Sequence, residues 1–351
     1  MFYGVVQGCF VRLCSIGRKA DSIFKYVFWL CEEMKISVFI PVYNGVKYIR
    51  QTLDSVLCQS YCDYEIVCVD DSSKDDSFDI LQEYQSKDSR VRALRKENGG
   101  DVPHSWNYVF PLLEGEFTIY MSQDDLLKPD ALELLVKRQE ESGADAVIPA
   151  VVFYEEGKTA CRTDRGVDGD VSVELTGREA FELALDYTIP GFALWRTDLI
   201  RKEGMRQDAF NSDELAQRLW MLKCDKVVFS DAEFLYRQDN PEAITKSLRV
   251  SHYTSIITNM HLLDSMIENG VDNEKVRRLN LSYFKSLFYL SACLERYGVT
   301  YERKDVLRIK DVIRRAYGKF SNVECSNIVL RMASLNFFVF SILAKVYSFK
   351  I

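Results

Sequence analysis

The residues best suited to chemistry are three pairs of adjacent acids: Asp70-Asp71, Asp124-Asp125 and Asp213-Glu214. The first two close short apolar runs, Tyr64 to Val69 and Phe117 to Met121, which read as strands. Carboxylates are hard oxygen ligands that suit Mg2+ or Mn2+. A divalent ion bridging two phosphates of a nucleotide would neutralise a departing diphosphate. A carboxylate can also take the proton of an attacking hydroxyl. Taken singly, an acid pair after a strand is equally a turn or a helix cap. Asp213-Glu214 is equally a helix start, where the dipole favours negative charge.

The elements that must position these acids alternate. Ile36 to Val42 is an apolar run rich in β-branched residues, followed by the turn signal Asn44-Gly45 and a helix with Ile49, Leu53, Val56 and Leu57 on one face. Strands follow at Tyr64 to Val69, Val91 to Leu94, Phe117 to Met121 and Ala146 to Phe153, with helices between them. Near-continuous apolar strands separated by helices predict a mostly parallel, Rossmann-like α/β sheet covered on both faces. Ligands of such sheets sit beyond the carboxyl ends of the strands, where these acids lie. Residues 154–176 read as a loop or short hairpin, Lys226 to Ser230 as a strand, and 250–325 as amphipathic helix.

No GxGxxG follows the first strand and no GxxxxGK[ST] occurs, which argues against a dinucleotide dehydrogenase and a P-loop NTPase. Five segments in order are more informative: Ser37-Val-Phe-Ile-Pro-Val-Tyr-Asn44, Leu53-Asp-Ser-Val-Leu-Cys-Gln-Ser60, Val69-Asp-Asp-Ser-Ser73, Glu97-Asn-Gly-Gly100 and Ser122-Gln-Asp-Asp125. Over residues 35–245 the chain resembles family 2 glycosyltransferases of the GT-A fold. The resemblance implies a nucleotide-binding loop at Pro41, Tyr43 and Asn44, with an aromatic stacking on uracil and Asp71 binding the base. It makes Asp124-Asp125 the DxD-type motif, with Asp125 as metal ligand and Asp124 on the ribose or sugar. Gln123 stands where many relatives carry another acid. Asn98 falls in the family's Asn-x-Gly segment. Asp213 is the expected catalytic base, with Glu214 as the alternative, and the usual Glu-Asp order is reversed. Tyr236-Arg-Gln-Asp-Asn-Pro241 resembles the segment that closes these domains without its histidine, and Arg237 is expected on the diphosphate.

The chain has 351 residues, 47 % of them hydrophobic and 28 % charged, so it folds as a globular protein of about two domains by length alone. Its formal charge of −7 argues against a protein that wraps nucleic acid. The ten cysteines form no CxxC pair and read as buried free thiols of a reducing compartment, not as a zinc site. At Met34 the character of the chain changes. Residues 1–33 read as a doubtful extension, with native translation expected at Met34 and a membrane-touching helix as the alternative. Residues 34–245 read as the glycosyltransferase domain, with a nucleotide-binding half over 34–153 and an acceptor half over 154–245. A helical region follows over 246–351.

The resemblance implies an inverting, metal-dependent enzyme that moves a sugar from a nucleotide-sugar, a UDP-sugar first of all, to an acceptor hydroxyl. The acceptor is a glycan or lipid-linked glycan of a bacterial surface polysaccharide. A cytoplasmic enzyme is implied, with the basic, apolar C-terminal segment as a peripheral membrane contact. Two other readings stand beside it: a domain that binds nucleotide-sugar or a partner without turnover, and a sugar-1-phosphate nucleotidyltransferase.

Overall fold

The computed structural model describes residues 5–6, 9–10, 35–100, 102–158, 161–246 and 248–351. The expectations for residues 1–33 lie outside these, apart from two short strands, Val5–Val6 and Cys9–Phe10, paired antiparallel. The strand-helix alternation produces β1 (Ile36–Val42), α1 (Ile49–Leu57), β2 (Tyr64–Asp70), α2 (Ser77–Lys87), β3 (Val91–Arg95), α3 (Val102–Val109) and β4 (Phe117–Tyr120). Then come β5 (Leu126–Leu127), α4 (Ala131–Ser142), β6 (Ala146–Tyr154), β7 (Arg162–Asp164) and β8 (Glu174–Leu175). The chain continues through α5 (Gly177–Ala184), β9 (Leu194–Arg196), α6 (Thr197–Glu203), α7 (Ser212–Met221) and β10 (Val227–Arg237).

One ten-stranded sheet runs in the order β8-β10-β6-β9-β4-β1-β2-β3, with β5 against β10 and β7 against β6. The long strands pair in parallel: β1 with β2 and β4, β2 with β3, and β6 with β10. Every residue of β2 is buried, as expected of a strand covered on both faces. One feature departs from the sequence reading. Three residues, Leu194 to Arg196, enter antiparallel between β4 and β6. So short a run carries no periodicity, and only its partners make it a strand. Strand β10 also runs past the expected Ser230 to Arg237, across a register shift between Phe229 and Glu233.

Each sheet face has its own core. One joins α1, α2 and α4 through Leu53, Leu81 and Leu132. The other gathers Trp106, Trp195 and Trp220, with Trp220 edge-on to both partners at 5.6 Å. That second core runs on without a break into α8 (Ser255–Glu268), α9 (Asn273–Tyr297), α10 (Arg303–Phe320), α11 (Ile328–Leu335) and α12 (Phe337–Ser348). Among the described residues no helix is long and apolar enough to cross a membrane. Cys68, Cys224 and Cys293 are buried free thiols as expected, whereas Cys58, Cys62 and Cys161 are exposed.

Candidate active site

The donor side is built where β1, β2 and β4 end. Pro41 lies within β1, and past its end Asn44 adopts a left-handed backbone, φ 51°, which asparagine tolerates better than most residues. Its N–H donates to Ser73 Oγ at 2.9 Å, and its Oδ1 accepts from the Lys74 N–H at 2.8 Å. Asn44 thus staples the loop after β1 to the loop after β2. Tyr43 is 42 % exposed, its ring free at the sheet's carboxyl edge. Gln123, read as a lost charge, has a different task. Its Oε1 accepts from the Tyr43 N–H at 2.8 Å and its Nε2 donates to the Tyr43 carbonyl at 3.1 Å. A side chain on Gly45 would come within 2.5 Å of the same Gln123 oxygen, so the clamp needs glycine there.

Asp71 is buried, and its Oδ1 accepts from the Gly99 N–H at 2.8 Å and from Lys96 Nζ. Asn98 Nδ2 donates to the Asp71 carbonyl at 2.8 Å. The Asn-Gly turn and Lys96 therefore aim Asp71 and leave its Oδ2 without a partner among the described residues.

The second acid pair divides its labour. Asp125 is 1 % exposed, with Oδ1 accepting from the Arg237 N–H at 3.0 Å and Oδ2 from the Ser122 N–H at 3.3 Å. Burial, and then the neighbouring Asp124, push its carboxyl well above the usual range, against these two N–H donors. Asp124 is half-buried. Its Oδ2 accepts from Asn240 Nδ2 at 2.6 Å, and its Oδ1 has no partner among the described residues.

Arg237 departs from the sequence reading. Its side chain is 1 % exposed, stacked between the rings of Tyr48 at 4.6 Å and Tyr154 at 5.1 Å. Its Nε donates to the Asp124 carbonyl at 2.8 Å and its Nη2 to Gln51 Oε1 at 2.7 Å, while Nη1 faces Asp239 at 3.3 Å. A guanidinium so enclosed braces the acid loop from behind.

The third pair opens α7. Glu214 is ion-paired to the buried Arg218 at 2.6 Å, one turn on. Arg218 Nε also donates to the Ala184 carbonyl at 3.0 Å, and its guanidinium lies 4.7 Å from the Tyr187 ring. Asp213 has no such partner among the described residues. Burial, and then the charge of Glu214, push its carboxyl up to about 7, opposed by the N–H groups at the helix start and by Arg218. Both halves meet at two rings. Tyr120 is raised by burial and then by Asp213, with Asp125 adding to it. Tyr236 is pushed up to about 12 by burial and then by Asp125, Asp124, Glu214 and Asp213. Phe192 stacks on Tyr120 at 6.4 Å and on Phe234 at 4.8 Å, which gives the cleft an aromatic wall. Sequence reasoning missed Tyr120, Phe192, Lys96 and Asn240. The nearest signal was Asn240, inside the quoted Tyr236–Pro241 segment.

Among the described residues no three His, Cys, Asp or Glu side chains form a metal cluster. Asp124 Oδ1 is the freer carboxylate oxygen for a metal ion, each Asp125 oxygen already accepting one N–H.

A mostly parallel α/β sheet flanked by helices, with acid pairs at the carboxyl ends of its strands, is the GT-A architecture. The family model described as Glycosyl transferase family 2 matches residues 37–227, and the chain belongs to that family. Glycosyltransferase GlyG of Streptococcus pneumoniae is 29 % identical over 217 residues, 58 % of this chain and 70 % of that protein. The cholesterol galactosyltransferase of Borreliella burgdorferi is 24 % identical over 302 residues, 82 % of this chain and 81 % of its own. The crystal structure of S. aureus TarS 1-349 with UDP-GlcNAc superposes with a TM-score of 0.62 at 18 % identity, over 82 % of this chain and 80 % of that one. At that identity the likeness speaks for the fold.

Proposed function

We propose that this chain is an inverting glycosyltransferase that moves a sugar from a UDP-sugar to a hydroxyl of a bacterial surface glycan or its lipid-linked precursor, at the cytoplasmic face. What supports it is that Asp124 and Asp213 both act on the Tyr236 ring, one with an open oxygen and the other with a carboxyl raised to about 7. Tyr43 stacks on the uracil, and the open Oδ2 of Asp71 accepts from its ring N–H. Asp213 takes the acceptor's proton while the acceptor oxygen bonds to C1 from the face opposite the leaving group. The C1–O bond breaks with its electron pair going to the departing UDP. A divalent ion, Mn2+ or Mg2+, held by Asp124 would supply charge for the diphosphate. Arg237 and Gln123 are positioning residues: one braces the acid loop and the other clamps Tyr43.

UDP, bound in a crystal structure of S. aureus TarS 1-349, supports the choice of uracil as the nucleobase. The test is UDP release from a panel of UDP-sugars with Mn2+, by wild type and by Asp213→Asn. Metal-dependent release that Asp213→Asn loses supports the reading. Absence of release across the panel, with intact nucleotide-sugar binding, favours a non-catalytic binding domain.

A further inference from the structure

The last two helices are apolar on two opposite sides. One side of α12 packs inward, with Phe340 against Phe284 at 5.8 Å and Phe288 at 5.6 Å. The other side carries Phe338, Ile342, Val346 and Phe349, exposed to 72, 46, 56 and 82 %. Helix α11, its neighbour in the chain, adds Ile328 and Leu335, 71 and 69 % exposed. A helix apolar all round is ordinarily buried all round. A continuous exposed apolar strip with a charged rim marks an interaction surface.

The charge says what kind. Residues 303–351 hold ten Lys and Arg against three Asp and Glu, a formal +7 inside a chain whose total is −7. Elsewhere many cations are paired, as Arg50 is with Glu83 and Arg196 with Asp145. Here Arg314, Arg331, Lys345 and Lys350 have no carboxylate partner among the described residues, and Arg314 lies over the Phe337 ring at 5.6 Å. Lys345 stands two turns after Phe338, on the exposed face itself. Its stem can lie along the strip while its ammonium reaches outward.

We propose that the α11–α12 face docks on an anionic bilayer, its apolar side chains in the acyl boundary and its cations on the lipid phosphates. Helices of eight and twelve residues cannot span, so they lie in the interface. A second copy of the chain is the competing occupant, and two such basic faces repel each other. The docking has a direction. On α9, against which α12 packs, Arg278 and Lys275 pair with Asp186 at 2.6 and 3.2 Å. Asp186 precedes Tyr187, which lies on Arg218 beside the third acid pair. A docked α11–α12 face therefore holds the acceptor side of the cleft in a set relation to the lipid surface.

The test is cosedimentation of the full chain with phosphatidylcholine vesicles, alone or with about 30 % phosphatidylglycerol. Wild type pellets with the anionic vesicles at low salt and is released at high salt. Phe338→Glu with Ile342→Glu lowers binding by about ten-fold or more, as does Arg331→Glu with Lys345→Glu. The circular dichroism melt, unchanged in both variants, shows that the fold survives. Phe349→Ser, at the most exposed residue of the strip, serves as the milder variant if either pair fails to fold. The proposal falls if wild type stays in the supernatant with anionic vesicles, or if folded strip variants pellet as wild type does. It also falls if sedimentation velocity shows a dimer that the strip variants split while no species binds vesicles. None of these readouts needs catalysis, so a failure of the glycosyl-transfer reading registers separately.

Discussion

Residues 34–153 and residues 154–245 each present two neighbouring carboxylates, and each separates them by different means. At Asp124-Asp125 the separation is made by backbone. Two N–H groups, one from Ser122 and one from Arg237, hold Asp125 inside and leave Asp124 facing the cleft. At Asp213-Glu214 it is made by a side chain. Arg218 takes Glu214, and the unpaired Asp213 is left with a carboxyl raised to about 7. Backbone donors hold an acid in place at the edge of the site, where its charge still acts on Tyr120 and Tyr236. An ion pair keeps its acid beside the site, where the charge still raises the neighbour. The first arrangement suits a ligand and the second suits a base.

The strongest test of this contrast is Asp213→Asn, which should lower the transfer rate by roughly 1,000-fold with donor affinity little changed. The wild-type pH profile should carry an acid limb near 7, because only deprotonated Asp213 accepts a proton and the rate climbs as pH rises through that value. The next test sets Asp124 against Asp125. Asp124→Asn should cut metal-dependent turnover by about 100-fold at unchanged melting temperature. Asp125→Ala should mainly destabilise, by about 2 kcal/mol in urea unfolding, since it strands the buried Arg237 N–H and the part-buried Ser122 N–H. Interchanged results would break the contrast. Tyr43→Ala should raise the donor KM by about ten-fold, the loss of one base-stacking ring, with kcat nearly unchanged. The smallest effect is expected of Glu214→Gln, which sharpens the acceptor side. Removing that negative charge lowers the Asp213 carboxyl, so the acid limb should move to lower pH while the plateau rate above it falls by about three-fold, the base being weaker.

Much of the frame was legible along the chain. Long apolar runs such as Ile36–Val42 and Tyr64–Asp70 are strands because each is buried on both faces, which local composition shows. Strand β9 was not legible, since three residues between β4 and β6 are held only by partners far along the chain. Arg237 misled for a related reason. An arginine beside acids reads as a phosphate ligand, but Tyr48, Tyr154 and Gln51, which enclose it, come from other elements. Gln123 read as an absent charge because the backbone it clamps lies 80 positions away.

By itself the sequence determined the alternation of strands and helices, the placement of acids at strand ends and the membership of a glycosyltransferase family. The first two follow from residue type and short-range period, which are local properties; the family rests on five ordered segments that resemble it and on the match over residues 37–227. It also carried the basic surplus of residues 303–351. Only the tertiary structure decided which acid of each pair faces the cleft, because adjacent residues are equivalent until a distant donor takes one of them. The N–H that takes Asp125 belongs to Arg237, 112 positions away. Only the packing of α12 against α9 decided which of its two apolar sides is core and which is left to meet something else.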